Sequence, residues 1–507
     1  MAFAFALGPV ARAASSIYTG VSSVNWNDVT NWQAGVLPAE GDDVTIADTT
    51  AHNSVTLNDG PHTIGTLQMG TTGTRANSAQ AVFTINGNTT AAGAYPLTLT
   101  NGVVANGNFS VSGTAGLQIK TPVIIQGDQT WSIGGNVGSS TADYGVQLTV
   151  GANGTQRPLT LNGTLIKTGP GQLNWVGQNV GDGNVVINQG SLKFNAGSST
   201  TLTVGGAGAI TVNSGGSLFI SRNSGPLAIT QALMFNDGST LRLGGNNSGL
   251  NTVGSPFTFN GTVPILLEYS SLLLNLTNNW SGTLNSTITG SGGTATFWGD
   301  NSALAGAINN NGTFVMRFGS AKSSSAAVAW ALNNAAAYFD IYGSNTNLDF
   351  GSLAGTAGTV RNNNTNGQPA TVTVGALNTS TTFGGVLSDS TGQLGLVKVG
   401  TGTLTLGGAN IYSADTIINN GTLLLQGTGA TISGNVTVNS GATFGGNGTV
   451  YGTATVASGS AIESDGGIGA TQPLTLGSLT LGADGSSQTT TKVNVYLGGA
   501  ITTSGLT

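Results

Sequence analysis

The stretch LIKTGPGQLNWVGQNVGDGNVVINQGSLKF, Leu165 to Phe194, returns without a gap as LVKVGTGTLTLGGANIYSADTIINNGTLLL, Leu396 to Leu425, with identity at 11 of 30 positions. A unit of this length that recurs is one supersecondary element. It cannot bury its apolar face alone and has to stack on neighbouring copies. Nothing in the composition divides the chain into segments of different character, so one repetitive body is expected rather than several globular domains.

A shorter turn-and-strand element runs between and around the two copies. It reads NQGSLKF at 188–194, NSGGSLFI at 213–220, NDGSTLRL at 236–243, NNGTFVMRF at 310–318, NNGTLLL at 419–425 and NSGATF at 439–444, with a degenerate ASGSAI at 457–462. Gly and Asn supply the positive φ that tight turns need, and Thr, Val and Leu suit the pleated surface between them. Copies spaced roughly 18 to 25 residues apart fit one coil of a solenoid each. Charged residues are only 6% against roughly 25% in an average soluble domain. The 38% that is hydrophobic falls in runs such as LTLT and TLTLG, the period-two pattern of strands buried on one face.

The same NG and DG turns would serve the hairpins of an antiparallel sandwich or a propeller. Three features argue for parallel stacking instead. The unit is asymmetric and lacks the Gly and Trp-Asp pattern of propeller blades. Asn also recurs at one place in each turn, where stacked side-chain amides hydrogen-bond from coil to coil. The expected fold is all-β, a parallel β-solenoid.

Within that body three segments are distinguished. Residues 1–13, MAFAFALGPVARA, carry an apolar stretch and the Ala11/Ala13 spacing of a signal-peptidase site, without a positively charged start, and read as a truncated signal peptide. Residues 14–50 are Trp-rich; with Trp26 and Trp32 they are expected to cap the first strand edges. Residues 51–507 form the β-helical body, which stops inside a strand-like alternation and is expected to continue beyond Thr507.

The charge pattern bounds the partners. Net charge is -6 and the 13 Lys and Arg are scattered singly, so no basic stripe exists to neutralise the phosphates of a nucleic acid. No apolar run reaches the roughly 20 residues of a spanning helix, so membrane association is expected only through a C-terminal anchor absent from this chain. Cysteine is missing altogether; stability has to come from stacking, and a disulfide-free chain suits export in an unfolded form.

Candidate chemistry is sparse. The one tight acidic group, Glu40, Asp42 and Asp43 with Asp48 nearby, falls in the cap with no Arg or Lys between Arg12 and Arg75, and a turn-capping role is favoured over catalysis or calcium binding. The two histidines, His52 and His62, are expected to be structural, since no serine stands in a nucleophile-like setting. No Gly-Lys pair marks a P-loop, and glycine strings at 205–208 and 290–293 lack a dinucleotide-binding context. The sequons at Asn162, Asn275 and Asn285 arise by chance in so Asn-, Ser- and Thr-rich a chain. Trp131, Trp175, Trp280, Trp298 and Trp330 offer stacking platforms for sugars if exposed, with core filling the favoured reading.

The repeat resembles a known family, the autotransporter-associated beta strand repeat, also called the passenger-associated transport repeat. In the second copy the family pattern is met by Lys398, Gly400, Gly402, Leu404, Gly408, Asn410, Tyr412, Asn419, Gly421, Thr422 and Leu423. The first copy keeps Lys167, Gly169, Gly171, Leu173, Gly177, Asn179, Asn188, Gly190, Ser191 and Leu192, but has Gly181 where the Tyr belongs. Ser433 to Gly467 is similar to the segment that follows the last such repeat, and clear resemblance covers roughly a third of the chain. The resemblance implies a right-handed parallel β-helix displayed on or released from a bacterial cell, and it carries no catalytic residue or cofactor. The expected role is a structural or adhesive passenger with no catalysis, secreted or at the cell surface (outer membrane), meeting extracellular polysaccharide or other cells. The alternative is a carbohydrate-binding or polysaccharide-degrading β-helix, and a weaker third reading has the repeats assist secretion of an effector.

Overall fold

The computed structural model describes residues 14–47, 54–69, 82–87, 95–105, 116–134, 147–150, 158–176, 179–196, 202–222, 227–245, 251–268, 273–427, 429–464, 473–482, 491–494 and 501–505. The expected signal segment 1–13, together with Asp48 and His52, lies outside them. Among the described residues the regular structure is β apart from one 3-10 turn, Val29–Asn31. The strands are short and pair in parallel, as in Phe83 beside Leu117 or Leu404 beside Leu423. Each strand meets the one a coil later, at separations from 18 residues, as Asn435 to Thr453, to 36, as Asp128 to Thr164. The expected spacing therefore holds for many coils from Leu165 onward, while early coils run to 36 residues and the late coil from Ala461 to Lys492 to 31. The chain forms a parallel β-solenoid.

The compact units are Met1–Leu233 and Met234–Thr507. In the first, strand Ser15–Tyr18 pairs with Asp43–Ile46, which pairs in turn with His62–Met69. The connecting segment folds back, bridging Tyr18 antiparallel to Trp32. Trp26 and Trp32 meet edge to face at 4.9 Å, and the Trp32 indole N–H donates to the Trp26 carbonyl at 2.9 Å. Both rings are buried, so the apolar area they offer is used inside the fold. Further along, Gln172–Trp175 pairs with Gly190–Ala196, which puts Leu173 on Leu192 and Trp175 on Phe194. The first repeat thus stacks one of its own strands on another. Leu192 then sits under Leu218. All three leucines are fully buried, each contributing about 1.5–3 kcal/mol.

In the second unit the same device recurs, with Thr403–Leu406 pairing to Thr422–Leu425 and Leu394–Lys398 to Thr416–Ile418. Here the inward row is also aromatic. Phe257 and Trp280 stack at 5.4 Å, Trp280 meets Phe297 at 5.1 Å, and Phe297 stacks on Phe318 at 5.8 Å. Phe318 then contacts Trp330, and Trp330 lies 5.3 Å from Phe350. Parallel register sets Phe257 on Trp280 and Phe297 on Phe318, and contacts between different strands of the coil join these pairs, with Trp330 and Phe350, into one aromatic cluster.

The predicted Asn stacks are present at the turns. Asn213 Nδ2 donates to Asn188 Oδ1 at 2.8 Å in the first unit. In the second, Asn260 donates to Asn236, Asn333 to Asn311 and Asn439 to Asn419, at 2.7–2.9 Å.

Candidate functional site

The residues that recur between the two copies serve the backbone. Lys167 is fully buried, and its Nζ donates to the carbonyls of Thr168 at 3.0 Å, Gly169 at 2.6 Å and Gln189, one coil later, at 2.8 Å. Lys398 repeats this arrangement on Val399 at 2.7 Å, Gly400 at 2.9 Å and Asn420 at 3.2 Å. Each ammonium ties its own turn to the turn above. Burial pushes Lys167 down to about 7 and Lys398 down to about 8. The carbonyls oppose that shift, because three acceptors need three N–H groups and only the charged form has them.

The glycines of the motif follow from the same crowding. Gly190 and Gly421 have φ of 70° and 63°. A Cβ on Gly190 would lie 2.5 Å from the Gly169 oxygen, and one on Gly421 2.5 Å from the oxygens of Gly400 and Gly402. The copies differ where the family tyrosine stands. Tyr412 is buried with its hydroxyl 2.7 Å from Thr416 Oγ1, and burial raises it well above the usual phenol range. Gly181 has φ of 109° and no room for a side chain against the Leu161 carbonyl, so the first copy needs glycine there.

The acidic group of the N-terminal segment is divided among backbone roles. Asp42 Oδ2 accepts from the Ala39 N–H at 2.9 Å and Asp43 Oδ1 from the Thr66 N–H at 2.6 Å, while Glu40 is exposed. His62 holds Asp59 at 2.8 Å and packs on Trp26 at 4.7 Å. Among the described residues no three His, Asp or Glu side chains converge as a metal site would require.

Of the five tryptophans weighed as platforms, Trp131, Trp175, Trp280 and Trp330 are core residues, each no more than 3% exposed. Trp298 differs, at 38%. It follows strand Thr294–Phe297 at a corner whose position one coil later is occupied by Gly319. A Cβ at Gly319 would lie 2.5 Å from the indole and one at Gly343 2.8 Å from it, so the ring rests across two bare turns. Tyr342 meets it edge-on at 6.4 Å.

Beside this ring lies a charged ladder that residue spacing alone conceals. Strands Val315–Phe318, Tyr338–Ile341 and Thr359–Asn362 place Arg317, Asp340 and Arg361 in one outward row. Asp340 is fully buried beneath its neighbours. Arg361 donates to it from Nε at 2.7 Å and from Nη2 at 3.3 Å, and Asn363 Nδ2 adds a third bond at 3.0 Å. Arg317 approaches the same carboxylate at 3.5 Å. The two guanidinium groups also lie over Tyr342 and Tyr338, at 4.6 and 4.0 Å. On the other flank Lys322 pairs with Asp300 at 3.1 Å; hydrogen bonds from Ser302, then Lys322, hold Asp300 down to about 2. Arg317, Asp340 and Arg361 look isolated in the sequence because one coil of chain separates each from the next. The readable signal was a 21- to 23-residue spacing.

No curated protein and no solved structure matches the chain. Residues 396–425, the second repeat with its lysine and paired glycines, match the family model described as Passenger-associated-transport-repeat. The chain therefore carries this passenger repeat, which implies an autotransporter passenger with a β-helix fold and suggests a secreted or cell-surface protein.

Proposed function

We propose that the protein is an exported bacterial passenger whose β-solenoid projects a surface and adheres to other cells or matrix, with no catalysis of its own. The observation that carries this reading is the passenger repeat at 396–425, whose lysine ties its own turn to the next coil. Tagging the chromosomal gene tests it. Protease treatment of unbroken cells, or recovery from the medium, should reach the tag, and deletion should lower attachment to cells or matrix. A tag protected inside intact cells, or attachment unchanged by deletion, would refute the reading. Trp298 supports a narrower version, recognition of carbohydrate, because it alone of the seven tryptophans is more than 3% exposed. Appearance of reducing ends or unsaturated product from pectin or alginate, with or without calcium, would favour a degrading enzyme instead.

A further inference from the structure

We infer that Trp298, Tyr342 and Arg317 form a binding site for an acidic polysaccharide, with a pyranose ring lying on the indole and a uronate carboxylate on the Arg317 guanidinium. The site deepens the adhesive reading and depends on it only for where the ligand is met.

Three observations converge on this chemistry. The indole lies on Gly319 and Gly343, so it is supported from beneath and more than a third exposed. A flat, rigid apolar face is what the C–H face of a sugar covers at little entropic cost. Second, the adjoining ladder carries a surplus cation. Asp340 is satisfied by Arg361 and Asn363, whereas the Arg317 guanidinium makes no hydrogen bond with any described residue, only its 3.5 Å ionic contact. Its side chain is 29% exposed, and its guanidinium carbon lies 4.6 Å from the centre of the Tyr342 ring. With Nε buried against Asp340, the two terminal nitrogens are the donors left for a carboxylate, which a planar guanidinium holds through two parallel bonds. Third, the charges balance toward an anion. Two arginines face one aspartate, and the flanking Asp300 is neutralised by Lys322.

The row also extends along the coil direction. Trp298 to Arg361 spans four successive strands, a length of roughly 14 Å at the usual strand spacing. That suits several residues of a chain better than a single sugar.

Calorimetric titration of the purified full chain with oligogalacturonate, beside maltoheptaose as the neutral control, tests the site. Oligogalacturonate should bind, weaken as salt rises, and lose at least tenfold in affinity in Trp298→Ala and in Arg317→Gln, with melting temperatures unchanged. If Arg317→Gln melts early, Arg317→Lys retains the charge without the fork and should still bind several-fold more weakly. The inference is overturned by absence of wild-type binding, by affinity that neither substitution alters, or by equal binding of maltoheptaose. None of these results bears on export, which the protease test on intact cells decides separately.

Discussion

Lys167 and Lys398 occupy the same place in two repeats and hold the same three kinds of carbonyl, so a substitution there probes the repeat itself. Lys398→Met keeps the aliphatic stem but strips the partner from three oxygens, at about 1–3 kcal/mol for each that stays dry. Chemical denaturation should show a loss of at least about 2 kcal/mol; an unchanged midpoint would mean water replaces the ammonium without cost. Titration gives a second expectation. The folded values of about 7 and 8 lie below the ordinary 10.5, so between them the unfolded chain holds more protons than the folded one. Stability should therefore rise with pH from about 7 toward 10. Tyr18, which burial pushes up to about 12, works the other way, as does Tyr412. Their folded forms keep a proton that the unfolded chain releases above about 10, so stability falls there. Melting temperature against pH should pass through a maximum near 9–10, and the rising limb should flatten when Lys167 and Lys398 are both replaced by Met. A curve that stays flat from pH 7 to about 10 would show that the carbonyl cages offset or outweigh burial.

Elements in this fold are read best in columns. Trp280 belongs to the inward cluster, stacked on Phe257 and edge to face with Phe297, whereas Trp298 lies on the outside of the same unit. Trp280→Ala should cost about 3–5 kcal/mol through lost area and the cavity left behind. Trp298→Ala should stay within about 0.5 kcal/mol, as surface changes do. Equal losses by denaturation would mean the outer ring is a structural prop. The contrast also shows what the sequence could convey. Turn residues such as Asn188 and Asn213 announce their stacks because the contact lies at equivalent positions of successive motifs. The two repeats declare their strands because Gly, Asn and Leu recur at fixed offsets. The tryptophans do not declare their side of the wall, since Trp280 and Trp298 sit in similar strand-like runs and a register shift of one residue exchanges inside for outside. The Arg317–Asp340–Arg361 row stayed hidden for a related reason. Its members belong to different coils, and because chain lengths between coils vary from 18 to 36 residues, their own 21- to 23-residue spacing does not stand out in the sequence.

At the scale of the whole chain, the decisive property is that contacts run from each coil to the next, as Leu404 to Leu423 and Leu423 to Phe444 do. Stability is then close to a sum of coil and interface contributions, with damage confined to neighbours. A chain with no cysteine and 6% charged residues has few long-range ties to spread that damage further. Leu423→Asp tests the point. The side chain is fully buried, and a carboxylate without a partner there is costly enough to open its own coil. Hydrogen exchange read by mass spectrometry should quicken in Thr403–Leu406, Thr422–Leu425 and Thr443–Gly446. Strands Thr294–Phe297, Val315–Phe318 and Tyr338–Ile341 of the same unit should keep their protection. Uniform loss across all six strands would instead reveal one cooperative body. Local opening has a functional corollary, because the outer row at Trp298 and Arg317 would then bind oligogalacturonate with wild-type affinity in the Leu423→Asp protein. A surface that survives damage elsewhere would serve the proposed adhesive role, and it follows from stacking alone.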